Sequence, residues 1–208
     1  MIRVFTEISQ WISRLLLLNL CWVIGLLVGL VLFGFMPATI AMHDITRKWA
    51  HGDLEVPIIK RFIQSYRENF IKKNLVGAAF VLVGSFLLVN LRFASIVEGT
   101  VMMAVYYFIL FALFILLMSL ITFFNVYNHY HYDSFKQYVQ QSIAITVASP
   151  ALMVLTSIGL GLIIWLFYQV PGLTLFFLGV FPAYWSSIVS KKRFGILEKK
   201  IQEANFVS

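Results

Sequence analysis

Residues 101–124 read VMMAVYYFILFALFILLMSLITFF, twenty-four positions without a charged side chain. In hydrocarbon each unpaired backbone N–H or C=O costs several kcal/mol, so such a stretch is stable there only as helix. At 1.5 Å per residue it reaches about 36 Å, enough to cross a bilayer core of about 30 Å. Runs of the same kind occupy residues 15–35, 75–91, 143–167 and 173–189, close to or above the ~17–25 residues of a transmembrane helix. The 208-residue chain is 61% hydrophobic and 12% charged, against roughly a quarter charged in soluble domains. These features predict an all-α, polytopic transmembrane bundle of about five spans, a single membrane domain over residues 1–208. The first run exceeds the ~7–15 apolar residues of a signal peptide and four more follow it, so the N-terminus is expected to stay on the protein.

The formal net charge of +7 is unevenly placed. Arg47, Lys48, Lys60, Arg61, Arg67, Lys72 and Lys73 lie between the first two runs, Lys136 after the third, and Lys191, Lys192, Arg193, Lys199 and Lys200 after the fifth. These thirteen basic residues occupy alternate segments, and the others hold only Arg3, Arg14 and Arg92. The positive-inside rule then predicts an N-terminus outside and a C-terminus inside. The excess is an orientation signal that also suits anionic headgroups of the lipid bilayer, and it calls for no nucleic acid. The one cysteine, Cys21, lies in the first run and reads as a packing residue.

Residues 1–14 carry apolar side chains at helical spacing and predict an interfacial lead-in. Pro37 lacks an amide proton, so Gly34-Phe35-Met36-Pro37 is expected to end the first span. A helix from Ala38 to about Trp49 then leaves the membrane at an angle as an interfacial helix, or makes a partial re-entrant turn, and His51-Gly52-Asp53 turns the chain. Within the basic cytoplasmic segment 36–74, residues 57–73 form an amphipathic helix with Ile58, Phe62, Tyr66 and Phe70 four residues apart. That stripe is expected to contact lipid or a partner protein, with Arg47, Lys48, Arg61 and Arg67 on headgroups or an acidic surface.

None of the five runs contains Asp, Glu, Lys, Arg or His. Ion-coupled carriers place such groups at depth, and a buried nucleophile needs a base. The composition therefore points away from a self-sufficient ion-coupled transporter and from an enzyme, and it suggests no cofactor. His129, His131 and Asp133 could suggest a metal. On a helix, however, His131 points about 200° away from the other two, and only an extended segment would align all three, so these read as boundary residues beside Tyr127, Tyr130 and Tyr132. Gly25 and Gly29 form a GxxxG pair that lets a helix approach closely. Packing within the chain is the favoured reading, and a dimer seam the rival one. Pro150 and Pro182 predict kinks, and Asn19, Asn90, Thr122, Thr146, Ser149, Thr156, Ser157, Ser186 and Ser187 read as hydrogen bonds between helices, with the lining of a polar path the rival reading.

One stretch resembles a known family. Asn19-Leu20-Cys21-Trp22, then Gly34-Phe35-Met36-Pro37-Ala38-Thr39-Ile40-Ala41, Arg47-Lys48-Trp49, Gly52, Ser65-Tyr66-Arg67-Glu68-Asn69-Phe70 and Lys73-Asn74 are similar in order and spacing to the YesL-like bacterial integral membrane family, domain of unknown function 624. The specific part is 19–74, and Met36 stands where the family's Gly-Pro-Ala-Thr form has glycine. The resemblance implies a multi-pass protein of the bacterial cytoplasmic membrane. It further implies a non-enzymatic accessory role in carbohydrate (oligosaccharide) uptake beside ATP-driven sugar permease subunits. A homo-oligomeric transporter or channel, and a lipid-organising or assembly factor, are the alternatives.

Overall fold

A computed structural model of the chain describes residues 2–132 and 134–207, with side chains for 5–132, 134–197 and 199. Asp133 and the side chains of Arg3 and Lys200 lie outside the described residues. The elements are α1 (Ile2–Val28), α2 (Leu32–Ala50), α3 (Ile58–Arg67), α4 (Phe70–Ala94), α5 (Thr100–His129), α6 (Phe135–Ala148), α7 (Pro150–Gln169), α8 (Pro171–Phe177) and α9 (Val180–Val207). Four helical stretches are long and apolar enough to cross a membrane: Phe5–Val28, Phe70–Ala94, Thr100–His129 and Pro150–Gln169. A fifth crossing exists if Pro171–Phe177 and Val180–Leu197, bent by 69°, count as one span. Among the described residues the chain is therefore all-helical, with four to five candidate spans, as expected.

The helices gather into two compact units, one from residues 1–70 with 151–208 and the other from 71–150. In the first unit α1 and α2 form an antiparallel hairpin. Trp11 meets Trp49 with ring centroids 6.0 Å apart, and Trp22 Nε1 donates to Thr39 Oγ1 at 3.2 Å. The turn between them is Gly29-Leu30-Val31. Leu30 and Val31 have φ of 53° and 64°, and the Val31 amide donates to the Leu26 carbonyl at 2.7 Å. Left-handed backbone costs a non-glycine residue about 1–2 kcal/mol, so the hairpin must hold these two in place. It does so through glycine: a Cβ on Gly29 would fall on the Gly34 backbone, and one on Gly34 would strike the Gly25 carbonyl.

The helix α2 is the centre of this unit. Residues 36–46 are buried without interruption, in contact with α1, α3 and α9. Its C-terminus closes as a Schellman turn, with Gly52 at φ 93° and amides of Gly52 and Asp53 donating to the carbonyls of Trp49 and Lys48. The turn expected at 51–53 is thus present. The break between α8 and α9 is bridged by one side chain. Asn19 Nδ2 donates to the Leu175 carbonyl at 3.4 Å, and Asn19 Oδ1 accepts the Gly179 amide at 3.1 Å.

In the second unit α6 runs antiparallel to α5. Thr146 Oγ1 donates to Thr122 Oγ1 at 3.0 Å, and Tyr138 meets the Tyr127 ring at 5.0 Å. A capping box of Ser134 and Gln137 starts α6. Lys73 is fully buried, its ammonium 5.3 Å from the Tyr127 ring centroid.

Several boundaries differ from the expectation, each for a local reason. The first span ends at Val28 instead of Phe35, because the Gly29/Gly34 contact lets the chain reverse there. Pro37 lies inside α2, where its missing amide deprives only the Phe33 carbonyl of a partner. The segment after it returns along α1 instead of leaving at an angle. Arg14, 6.0 Å from the Trp11 ring, therefore shares one end of the unit with Arg47 and Lys48, which the charge count had assigned to the opposite face. The amphipathic helix stops at Arg67, since Asn69 at φ 50° breaks it and Phe70 opens α4. The run 143–167 is interrupted at Ser149, before Pro150, and the run 173–189 is broken after Phe177.

The glycine closure has a direct test. Gly29→Leu should lower stability by about 3 kcal/mol through overpacking against backbone, or roughly 6–12 °C in unfolding midpoint in detergent. Gly84→Ala, whose Cβ would meet only Leu116 Cδ2 at 3.6 Å, should leave the midpoint within about 1 °C, within the scatter of benign substitutions.

Candidate functional site: the buried face of α2

Ala38-Thr39-Ile40-Ala41-Met42-His43-Asp44-Ile45-Thr46 places small and apolar side chains all round the helix, the composition of a helix surrounded by protein. Its few polar groups are therefore buried and must find partners inside. His43 Nδ1 lies 2.9 Å from the Thr39 carbonyl and Nε2 lies 3.2 Å from Ser186 Oγ. A carbonyl only accepts, so a neutral imidazole carries its proton on Nδ1 and accepts from Ser186 at Nε2. One turn on, Thr46 Oγ1 and Ser187 Oγ share a hydrogen bond of 2.9 Å. Along the parallel α2 and α9 these pairs form a polar seam, and Lys191 Nζ closes its end by donating to the Ala50 carbonyl at 2.8 Å.

On the side of α2 toward α3, Asp44 receives Arg61 through two hydrogen bonds, Nε to Oδ2 at 2.5 Å and Nη2 to Oδ1 at 3.2 Å. The Asp44 side chain is 5% exposed and that of Arg61 35%. The bidentate fork satisfies a carboxylate that water barely reaches. In turn, the Asp44 hydrogen bond is the largest influence on Arg61 and pushes its guanidinium above the ordinary range.

A serine bonded to a neutral imidazole is also the first half of a nucleophilic dyad. Here Ser186 is 1% and His43 5% exposed, and the one Ser186 hydroxyl proton is shared between His43 Nε2 and the Ala183 carbonyl, 3.0 Å away. The pair is enclosed by helix and acts as an interhelical bond.

The residues nominated from sequence fall into two groups. Arg61 is drawn to Asp44, Phe62 is 4% exposed, and Ile58 packs on the core. The Phe62 ring lies against Gly25 and stacks on Tyr66 at 6.2 Å, and the Tyr66 hydroxyl donates to the Gly25 carbonyl at 3.0 Å. Phe70 touches the Tyr66 ring at 5.5 Å. The stripe of Ile58, Phe62, Tyr66 and Phe70 thus packs largely on the protein, with Phe62 and Tyr66 also bordering a cleft beside α1. Gly25 and Gly29 are engaged by α2 and α3 within the chain, so no second copy can use that face while the hairpin is closed. Arg67 is exposed, while Arg47 and Lys48 are half-buried at the basic end.

Nothing in the spacing of His43 or Asp44 announces the partners they find on other helices. The available signal was the polarity of the whole segment: a charged residue in a helix with no polar face has to be paired inside.

Arg61→Leu should leave Asp44 buried and unpaired, at a cost of about 2 kcal/mol. Asp44→Leu combined with Arg61→Leu should recover most of the loss, read as a double-mutant cycle of thermal stability in detergent. A cycle between Thr46→Val and Ser187→Ala should give a smaller coupling, about 0.6 kcal/mol, the mean for interhelical hydrogen bonds in membranes.

The family model described as "Protein of unknown function, DUF624" matches residues 15–91, which include all of α2 and α3. The chain is 31% identical over 160 residues to the "Uncharacterized protein YesV" of Bacillus subtilis (strain 168), covering 77% of this chain and 76% of that one. It is 36% identical over 113 residues to YteU, covering 48% of this chain and 51% of that protein. To YesL it is 33% identical over 96 residues, covering 46% of each. The matched stretch spans about half the length of YteU and of YesL. No solved structure gives a significant match.

Proposed function

The chain belongs to the DUF624 family of membrane-helical proteins, and on that footing we propose that it is a non-catalytic accessory subunit in the bacterial cytoplasmic membrane. It serves oligosaccharide uptake by standing beside an ATP-driven sugar permease. The observation that supports a supporting role over chemistry is the seam on α2. Its polar side chains are matched to one another, His43 to Ser186, Thr46 to Ser187 and Asp44 to Arg61. Such groups fix the helices in register. The link to carbohydrate rests on the resemblance carried by residues 19–74. The basic end, with Arg14, Arg47, Lys48 and Lys191, offers an acidic permease surface or anionic headgroups a set of cations.

The test is affinity purification of the tagged full chain from its host in mild detergent. Permease subunits should co-purify with it, and Lys48→Glu should reduce their recovery at least fivefold while leaving the chain's own yield unchanged. Recovering the chain alone, under conditions that keep known permease complexes together, removes the subunit reading.

A further inference from the structure

The closure of α3 onto the hairpin leaves a groove between α1 and α3. Its walls are Leu17, Ile24 and Val28 on α1 and Ile59 and Ile63 on α3, with the Phe62 ring and Tyr66 also lining it. The volume is about 390 Å³, within the range of small-ligand sites. The walls face outward: Ile24 is 51% exposed, Ile59 53% and Ile63 46%. The Tyr66 hydroxyl is already committed to the Gly25 carbonyl, so the lining offers an occupant little but hydrocarbon.

The charge at the rim identifies the occupant. Arg67 lines the groove, is exposed, and joins no ion pair among the described residues. Lys60 borders a shallower depression that continues past Leu17 and Ile59. Arg61, the remaining cation of α3, is turned away to Asp44. A hydrocarbon trough with Arg67 at its rim matches a molecule that is apolar along one part and anionic at the end. An acyl chain beside α1 also needs no transfer from water, because α1 is apolar and long enough to cross the membrane.

We infer that the groove between α1 and α3 is a binding site for an anionic phospholipid, one acyl chain lying along Ile24, Ile59 and Ile63 and the headgroup phosphate on Arg67. The guanidinium supplies a planar donor pair for the phosphate oxygens, and the apolar walls select for the chain. This site does not depend on the permease reading above.

Cys21 lines the same groove and is the one cysteine of the chain, so it reports occupancy. The full chain is delipidated and exposed to mixed micelles of equal dioleoyl phosphatidylglycerol and dioleoyl phosphatidylcholine. Bound lipid is read by native mass spectrometry and Cys21 by its rate of alkylation with N-ethylmaleimide. One phosphatidylglycerol per chain should be retained at least fivefold over phosphatidylcholine, and Cys21 alkylation should slow at least threefold. Ile63→Trp, a filling change at an exposed position, should abolish both effects with an unchanged unfolding midpoint. Arg67→Gln should bring the lipid preference close to one while Cys21 stays protected. Equal retention of the two lipids by the unaltered chain overturns the inference, as does retention insensitive to both variants. Protection of Cys21 by glycerol 3-phosphate alone would mark a site for a soluble anion, and lipid loss on formation of a two-chain species would mark a protein interface. Either result also overturns the inference.

Discussion

The closure of α1 on α2 at Gly29 and Gly34 is the contact on which the first unit depends. No side chain larger than hydrogen fits where the two backbones meet, and two non-glycine residues hold left-handed conformations to make the turn. Everything central to the unit follows from that reversal. It brings Trp49 back to Trp11, sets Thr39 against Trp22, and turns one face of α2 toward Ser186 and Ser187 of α9. Without it α2 would have no reason to be buried, and Asp44 would have no reason to be paired.

The solvent around these helices explains which residues end up where. Leu27, Leu82, Phe108 and Ile164 are each more than 60% exposed, while Thr46, Ser119, Ser142 and Thr146 are fully buried. That is the reverse of a soluble domain. In a bilayer, burying leucine gains little because lipid is equally apolar, so association rests on close packing of small residues and on interhelical hydrogen bonds. Gly29 against Gly34 supplies the first, and Thr122 with Thr146, His43 with Ser186 and Thr46 with Ser187 supply the second.

Long apolar runs are a property of composition, and composition is local; for that reason α4, α5 and α7 stand out in the sequence. Of the polar residues in the apolar runs, Thr122, Thr146, Ser186 and Ser187 bond between helices as expected, whereas Asn90 donates to the Phe86 carbonyl of its own helix. What was not legible depends on distance along the chain. A glycine pair at i and i+4 shows that something approaches closely, but not that the partner is the glycine five residues further on. Proline at 37 marks a missing amide, and the same residue fits either a helix end or a position near the start of the next helix. Asp44 and Arg61 are seventeen residues apart on different helices, and no spacing rule joins them. Periodicity assigned the stripe of α3 correctly as apolar and could not say whether lipid or protein would cover it, since both are hydrocarbon.

That last ambiguity shapes how the unit's surface should be read. An amphipathic helix in water has one apolar face, and covering it completes the fold. At the edge of a bilayer a helix can have two, one against protein and one against lipid. The helix α3 shows both: Phe62 and Tyr66 pack on Gly25, while Ile59 and Ile63 remain open beside α1. Its cations divide in the same way, Arg61 inward to a buried carboxylate and Arg67 outward at the rim. A helix that only sealed the core would need the first set alone. The second set repeats its pattern of hydrocarbon flanked by positive charge on the outside, where the complementary molecule is supplied by the membrane.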